Sequence, residues 1–331
     1  MIRKACQKNV MHITTGIRGF ISCFLAALVL LITTLPANAD EAASCSTVRI
    51  AEAGWSDNAA ANGIAATVLA GMGYKTDIPL LSIAMTYVSM RNRRIDVFMG
   101  NWDPAGMGTI KPFLADGSVK QIGVNLSGGH FTLAVPEYTW KEGLQTFDDL
   151  KKWAPKLDDK IYGLESGNAG NLLILNGMKH DLFGLSQFRL VESSEEGMLG
   201  TVDRMIRNHQ PVVFLGWEPH PMNNRFAMRY LSGGSSIFGP DNGSVVHTVI
   251  RKGYDSECPN VTRFFEQLRF SIPTENTLMG EIRDKHESPK DAALAWLKAH
   301  PENLEPWLDQ VTTRDGTPAL PAVKSFLGLS P

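Results

Sequence analysis

Val97-Phe98-Met99-Gly100-Asn101-Trp102-Asp103-Pro104 is a short apolar run that ends in a glycine, a tryptophan, an acid and a proline. The same grammar returns in Val212-Val213-Phe214-Leu215-Gly216-Trp217-Glu218-Pro219, and Val48-Arg49-Ile50-Ala51-Glu52-Ala53-Gly54-Trp55-Ser56-Asp57 is a looser third copy. An apolar run of about four to six residues bounded by Gly and Pro reads as a buried strand. Each copy therefore sets a large flat ring just past the carboxyl end of a strand, the edge at which open α/β sheets bind ligands.

Working outward, Asn58–Met72 reads as an Ala-rich helix with Ile64, Val68, Leu69 and Met72 on one face and glycines at its end. Ile83, Met85, Val88 and Met90 suggest a second helix that stops near Arg93-Arg94, before a strand over Ile95–Met99. Strand, helix, helix and strand in this order imply a parallel sheet with crossovers. Val119–Val124 and Phe131–Val135 read as two strands on either side of a Ser-Gly-Gly turn, followed by a helix near Phe147–Trp153 opened by Thr146 and Asp149. Lys160–Leu164 reads as a strand running into Glu165-Ser166-Gly167-Asn168-Ala169-Gly170-Asn171. That Gly-rich turn points backbone N–H groups into a cleft, but it lacks the ending of a phosphate loop and the framing glycines of a nucleophile elbow. Asn168 reads equally well as a turn residue that tolerates left-handed geometry. Leu172–Phe183 and Glu195–Asn208 are expected as helices, and Arg189–Val191 and Val245–Arg251 as strands. The remaining chain is helical by pattern, with Phe264, Phe265, Leu268, Leu294, Trp296, Leu297 and Trp307 at core spacings.

Residues 1–39 are a separate object: Arg3, Lys4, Lys8 and Arg18 without an acid, a mostly apolar stretch from Phe20 to Leu35, then Pro36 and Ala37-Asn38-Ala39. This is the pattern of a secretory signal cleaved before Asp40, the alternative being a retained anchor. Taking four basic residues from 32 leaves 28 Lys and Arg against 34 Asp and Glu, a formal charge of −6. An acidic exported chain argues against nucleic acid and anionic membrane surfaces as partners. Cys6 and Cys23 leave with the signal, and the remaining Cys45 and Cys258 suggest one disulfide, two buried thiols being the alternative. Such a bridge closes a loop that the chain-entropy model rates at roughly 4 to 5 kcal/mol. The mature length fits two domains.

A tryptophan beside a carboxylate in a partly dry cleft favours a cation, at about 0.5–2 kcal/mol per ring. A quaternary ammonium suits three such rings, because its methyls offer no N–H to donate. The competing reading is that the rings are packing.

Taken together, Gly-Trp-Ser-Asp, Asn-Trp-Asp-Pro, Glu-Ser-Gly-Asn-Ala-Gly-Asn and Gly-Trp-Glu-Pro resemble the periplasmic substrate-binding proteins of ABC importers for quaternary amines, the choline-binding members above all. The resemblance covers the mature chain and implies an α/β, two-lobed type II periplasmic binding protein fold, with 40–132 and 233–331 in one lobe and 133–232 in the other. It implies an ABC permease and ATPase as partners, a monomer in the periplasm, and no cofactor. It makes Trp55, Trp102 and Trp217 the cage around a trimethylammonium group, Asp57 the acceptor of a ligand hydroxyl, Asn168 a polar group that helps fix it, and Cys45 with Cys258 the family disulfide. The family's fourth cage member is a tyrosine; here the equivalent place is Phe131, preceded by His130. Two unit charges at about 4 Å repel by about 4 kcal/mol at an effective dielectric of 20, so Asp57 favours choline over glycine betaine or carnitine. The carboxylated amines need a donor, for which His130 is the nearest candidate, its plainer reading being a loop histidine.

Two rivals belong to other classes. In an enzyme on a cationic substrate, His220 close to Glu218 would serve as acid and base, but no nucleophile with a partnered base, metal-ligand spacing or dinucleotide fingerprint accompanies it. In an exported sensor the same cage would feed a receptor in place of a permease.

Overall fold

The computed structural model describes residues 43–240 and 243–330; the expected signal over 1–39 and its expected cleavage site lie outside them. Among the described residues the strands are β1 (Thr47–Arg49), β2 (Lys75–Asp77), β3 (Val97–Asp103), β4 (Val119–Pro136), β5 (Lys160–Tyr162), β6 (Arg189–Val191), β7 (Phe214–Glu218), β8 (Met228–Tyr230) and β9 (Ser244–Arg251). β1 and β2 pair in parallel, and an isolated parallel bridge from Ile50 to Val97 ties them to β3. The larger sheet runs β3-β9-β4-β7-β5-β6, with β8 also on β4.

β4 organises the molecule. Its first part pairs with β9, from Val119 opposite Arg251 to Gly129 opposite Ser244. Its second part pairs with β7, from His130 opposite Glu218 to Ala134 opposite Phe214. One strand thus belongs to two ladders. The two separate strands and turn expected here are a single strand, because Ser127-Gly128-Gly129 is absorbed as ladder irregularities instead of reversing the chain. Gly128 takes a φ of +78°, and a Cβ on Gly129 would stand 2.9 Å from Trp102 Cζ3, so both glycines have local work besides a turn.

The first strand–helix–helix–strand unit is parallel as expected, through the Ile50–Val97 bridge, but the larger sheet is mixed. β5 is parallel to β6 and β7, but β9 is antiparallel to both β3 and β4, and β4 is antiparallel to β7 and β8. β9 comes from the chain's return after the second ladder and inserts between β3 and β4. A returning strand has no crossover helix to set it parallel.

The expected helices form as Ser56–Gly71, Ile83–Arg91, Ala169–Lys179 and Glu195–Arg207. A 3-10 turn, Phe147–Asp149, and a short helix, Leu150–Trp153, replace the single helix expected there. Asp149 accepts from the Thr146 backbone N–H at 2.8 Å, as the capping reading requires. Phe264, Phe265, Leu268 and Leu297 are fully buried, and Trp296 stacks on Trp307 at 6.2 Å, so these two rings are core. Cys45 and Cys258 form the disulfide, with Cα atoms 5.7 Å apart across 213 positions.

Candidate functional site

The three Trp motifs converge. Trp102 is near the end of β3, Trp217 near the end of β7, and Trp55 directly precedes the Ser56–Gly71 helix. With Asp57, Phe131, Asn168, Ala105, Leu164 and Ala169 they line one small cavity that opens to solvent. All three indoles are nearly buried, at 7 % exposure for Trp55 and Trp102 and 3 % for Trp217. Phe131 stands directly across the ladder from Trp217, and its ring centroid is 5.9 Å from that of Trp102. The peptide bonds Asp103-Pro104 and Glu218-Pro219 are both cis, so the two closer copies of the motif share a backbone form.

Two indoles are held by their edges. Trp102 Nε1 donates to Asp57 Oδ2 at 3.0 Å, and Trp55 Nε1 donates to Glu165 Oε1 at 3.0 Å. Bonds at the ring edge leave the π faces for packing or for a cation.

Asp57 sits in the first turn of its helix, where the helix dipole favours a carboxylate. One of its oxygens is committed to Trp102, and the other, Oδ1, is buried without a hydrogen-bond partner. Burial first, and then the nearby Glu195 carboxylate, push its pKa up to about 7 against the hydrogen bond from Trp102. Glu275 stands well above the ordinary range, through burial and then Asp57, and burial also raises Glu52. The surroundings of the cavity are therefore acidic, and its lining carries one acid and no Lys, Arg or His. An unpartnered buried acceptor is costly until something donates to it.

Asn168 is the N-cap of the Ala169–Lys179 helix, with Oδ1 accepting from Gly170 N at 2.9 Å and Nδ2 donating to Glu165 Oε1 at 3.0 Å. The left-handed position in this turn is taken by Gly167, at φ +83°, and not by Asn168.

His130 is not brought to the cavity. It precedes Phe131 on β4, successive strand side chains point to opposite faces, and its ring lies 4.2 Å from that of Tyr230. The donor expected of it for a ligand carboxylate is therefore misplaced. His220, weighed with Glu218, pairs with Glu195 at 3.1 Å instead. Glu165 and Glu195 were missed as members of the site's surroundings. Glu165 had a signal, being the acid at the mouth of the Gly-rich turn; for Glu195 the sequence offers only the start of a helix.

Two ladders sharing β4, with a ring-lined cavity built from strand ends and helix starts of both, define the two-lobed type II binding-protein architecture. Residues 46–299 match the family described as the substrate binding domain of an ABC-type glycine betaine transport system, and the chain belongs to that family. It is 47 % identical to an ABC-transporter choline binding protein solved in complex with choline, covering 87 % of this chain and all of that one at a TM-score of 0.86. Against an ABC-transporter choline binding protein in an unliganded semi-closed conformation the TM-score is 0.80, again at 47 % identity, covering 86 % of this chain and 100 % of that chain. The glycine betaine/carnitine transport binding protein of Listeria monocytogenes is 27 % identical over 186 residues, 56 % of this chain and 60 % of the relative.

Proposed function

We propose that this protein captures choline in the cavity and hands it to an ABC importer. The trimethylammonium group sits among Trp55, Trp102, Trp217 and Phe131, and the choline hydroxyl donates to Asp57. The observation that carries this reading is Asp57 Oδ1, a buried acceptor left without a donor in a cavity that is otherwise aromatic and apolar. Choline supplies what is lacking, one hydroxyl donor and one cation without N–H groups. Asn168, whose second amide hydrogen is uncommitted in the hydrogen bonds it makes, orients the hydroxyl oxygen. Phe131 keeps the ring face of the family tyrosine. Its tip packs against the start of the Ala169–Lys179 helix, since a Cβ on Gly170 would lie 2.6 Å from Phe131 Cζ.

In the same reading residues 40–132 and 233–331 form one lobe and 133–232 the other, and the lobes close on the ligand. The protein works in the periplasm as a monomer, released by the cleaved signal, and presents the closed form to a permease and its ATPase. The 47 % identity to a choline-binding relative over nearly all of the chain supports the choice of ligand. Glycine betaine or carnitine is the second reading, favoured by the description of the family and by the Listeria relative. Titration of the protein with choline and with glycine betaine decides between them, since a site built on Asp57 takes choline more tightly.

A further inference from the structure

We propose that Glu195 is the latch of the closed form and sets how long the ligand stays more than how fast it arrives. Glu195 opens the Glu195–Arg207 helix and is 3 % exposed. Its carboxylate accepts from Ser56 N at 3.1 Å, Ser56 Oγ at 2.8 Å and His220 Nε2 at 3.1 Å, and it also accepts from Arg283 Nη1. His220 Nδ1 accepts from Met222 N at 2.9 Å, which makes Nε2 the nitrogen that carries the proton. Burial alone would raise the Glu195 carboxyl; the His220 and Arg283 partners and the Ser56 N–H hold it below its ordinary value.

The partners belong to both sides of the cage. Ser56 lies between Trp55 and Asp57, and the His220 ring packs on the Trp217 indole at 4.7 Å. Arg283 comes from the Ile272–Asp284 helix and also reaches Glu196 at 2.7 Å. With the lobes divided as above, Glu195 and His220 travel together while Ser56 and Arg283 travel with the other lobe. Opening therefore breaks three of the four bonds and returns a carboxylate and a guanidinium to water. Glu195 does not line the ligand cavity. It lines a neighbouring depression behind Trp55, together with Glu52, Ser56 and Arg283. A residue that joins the two sides without touching ligand is a positioning residue. Truncating one partner of a buried hydrogen-bonded charge pair acts mainly on dissociation.

This inference rests on the proposed lobe closure, and stopped-flow tryptophan fluorescence tests it with choline, glycine betaine and carnitine as probes. In Glu195→Gln, which keeps shape and removes charge, dissociation of whichever probe binds rises about tenfold or more while association changes by less than about threefold. Ser56→Ala gives a smaller rise in the same direction. The ligand-free melting temperature falls less than the liganded one, because only the bond to His220 persists in the open form, and the rise in melting temperature on adding ligand shrinks. Unchanged dissociation in both variants overturns the latch, as does a ligand-free melting temperature that falls as far as the liganded one. Wild-type preference for glycine betaine or carnitine overturns the choice of choline, and the rate comparison with that probe still judges the latch.

Discussion

Replacing Asp57 by Asn separates the ligands that the site must tell apart. An Asn at 57 can still accept from Trp102 Nε1 with its one oxygen, which places its amide nitrogen where the unpartnered Oδ1 now sits. Choline then loses a hydrogen bond to a charged acceptor, worth about 1.5–3 kcal/mol. It also loses the attraction between carboxylate and ammonium, about 3 kcal/mol for charges roughly 5 Å apart at an effective dielectric of 20. Part of that attraction is offset, because ionising Asp57 already works against burial and Glu195. A net loss of about 2 kcal/mol or more, roughly thirtyfold in Kd, is the expected result for choline. Glycine betaine loses the same attraction, but it also escapes a carboxylate repulsion of about 4 kcal/mol at 4 Å and gains an amide donor. Its affinity should hold or improve. Removing one acid from a group that includes Glu195, Glu52 and Glu275 should leave the ligand-free melting temperature no lower. Isothermal titration of both ligands at about pH 8, where the wild-type carboxyl is mostly ionised, reads the difference. Equal losses for the two ligands, or a larger loss for glycine betaine, would refute the role given to Asp57.

Three further perturbations follow from the same geometry. Trp217→Ala and Trp102→Ala should each weaken choline by about tenfold or more through the lost cation-π face and the wetted cage, while circular dichroism still reports a folded chain; full affinity in either variant contradicts the cage. Gly170→Ala would place a Cβ 2.6 Å from Phe131 Cζ and 2.8 Å from Cε1, and overpacking of about 1–3 kcal/mol should raise the choline Kd roughly five- to a hundredfold. Gly108→Ala, with open space around its Cβ, should do nothing, and equal Kd values for these two glycine variants would count against the packing argument. For pH, a cation favours the ionised Asp57, so its pKa falls on binding from about 7. Choline affinity is then full above that value and weakens as pH drops through it, by at most about tenfold per unit; titrations in which Kd does not move across this range would contradict the shift.

The rings were legible because strand ends carry a local signature: an apolar run, a glycine and a proline around Trp102 and Trp217 need no knowledge of distant residues. Asp57, although it stands next to Trp55 at a helix start, took its role as hydroxyl acceptor from the resemblance. Phe131 also came from the resemblance, and the alternation along β4 that turns its ring into the cavity turns His130 to the other face. The acids that organise the site were less visible because their partners are remote. Glu165 meets Trp55 across 110 positions and Glu195 meets Ser56 across 139, so neither leaves a local pattern. The glycines of Ser127-Gly128-Gly129 carry a turn signal that pairing with β9 on one side and β7 on the other overrides. The direction of β9 depends on which edge a returning strand meets, which no window of sequence encodes.

Ligand preference decides whether this cavity is built for choline. Isothermal titration of the protein, freed of bound ligand by unfolding and refolding, with choline, glycine betaine and carnitine in turn, tests it most directly. Choline should give a tight one-to-one isotherm, and the two carboxylated amines much weaker heats. Tighter binding of glycine betaine or carnitine would contradict this, and absence of heat with all three would remove the ground for reading the tryptophans as a cage.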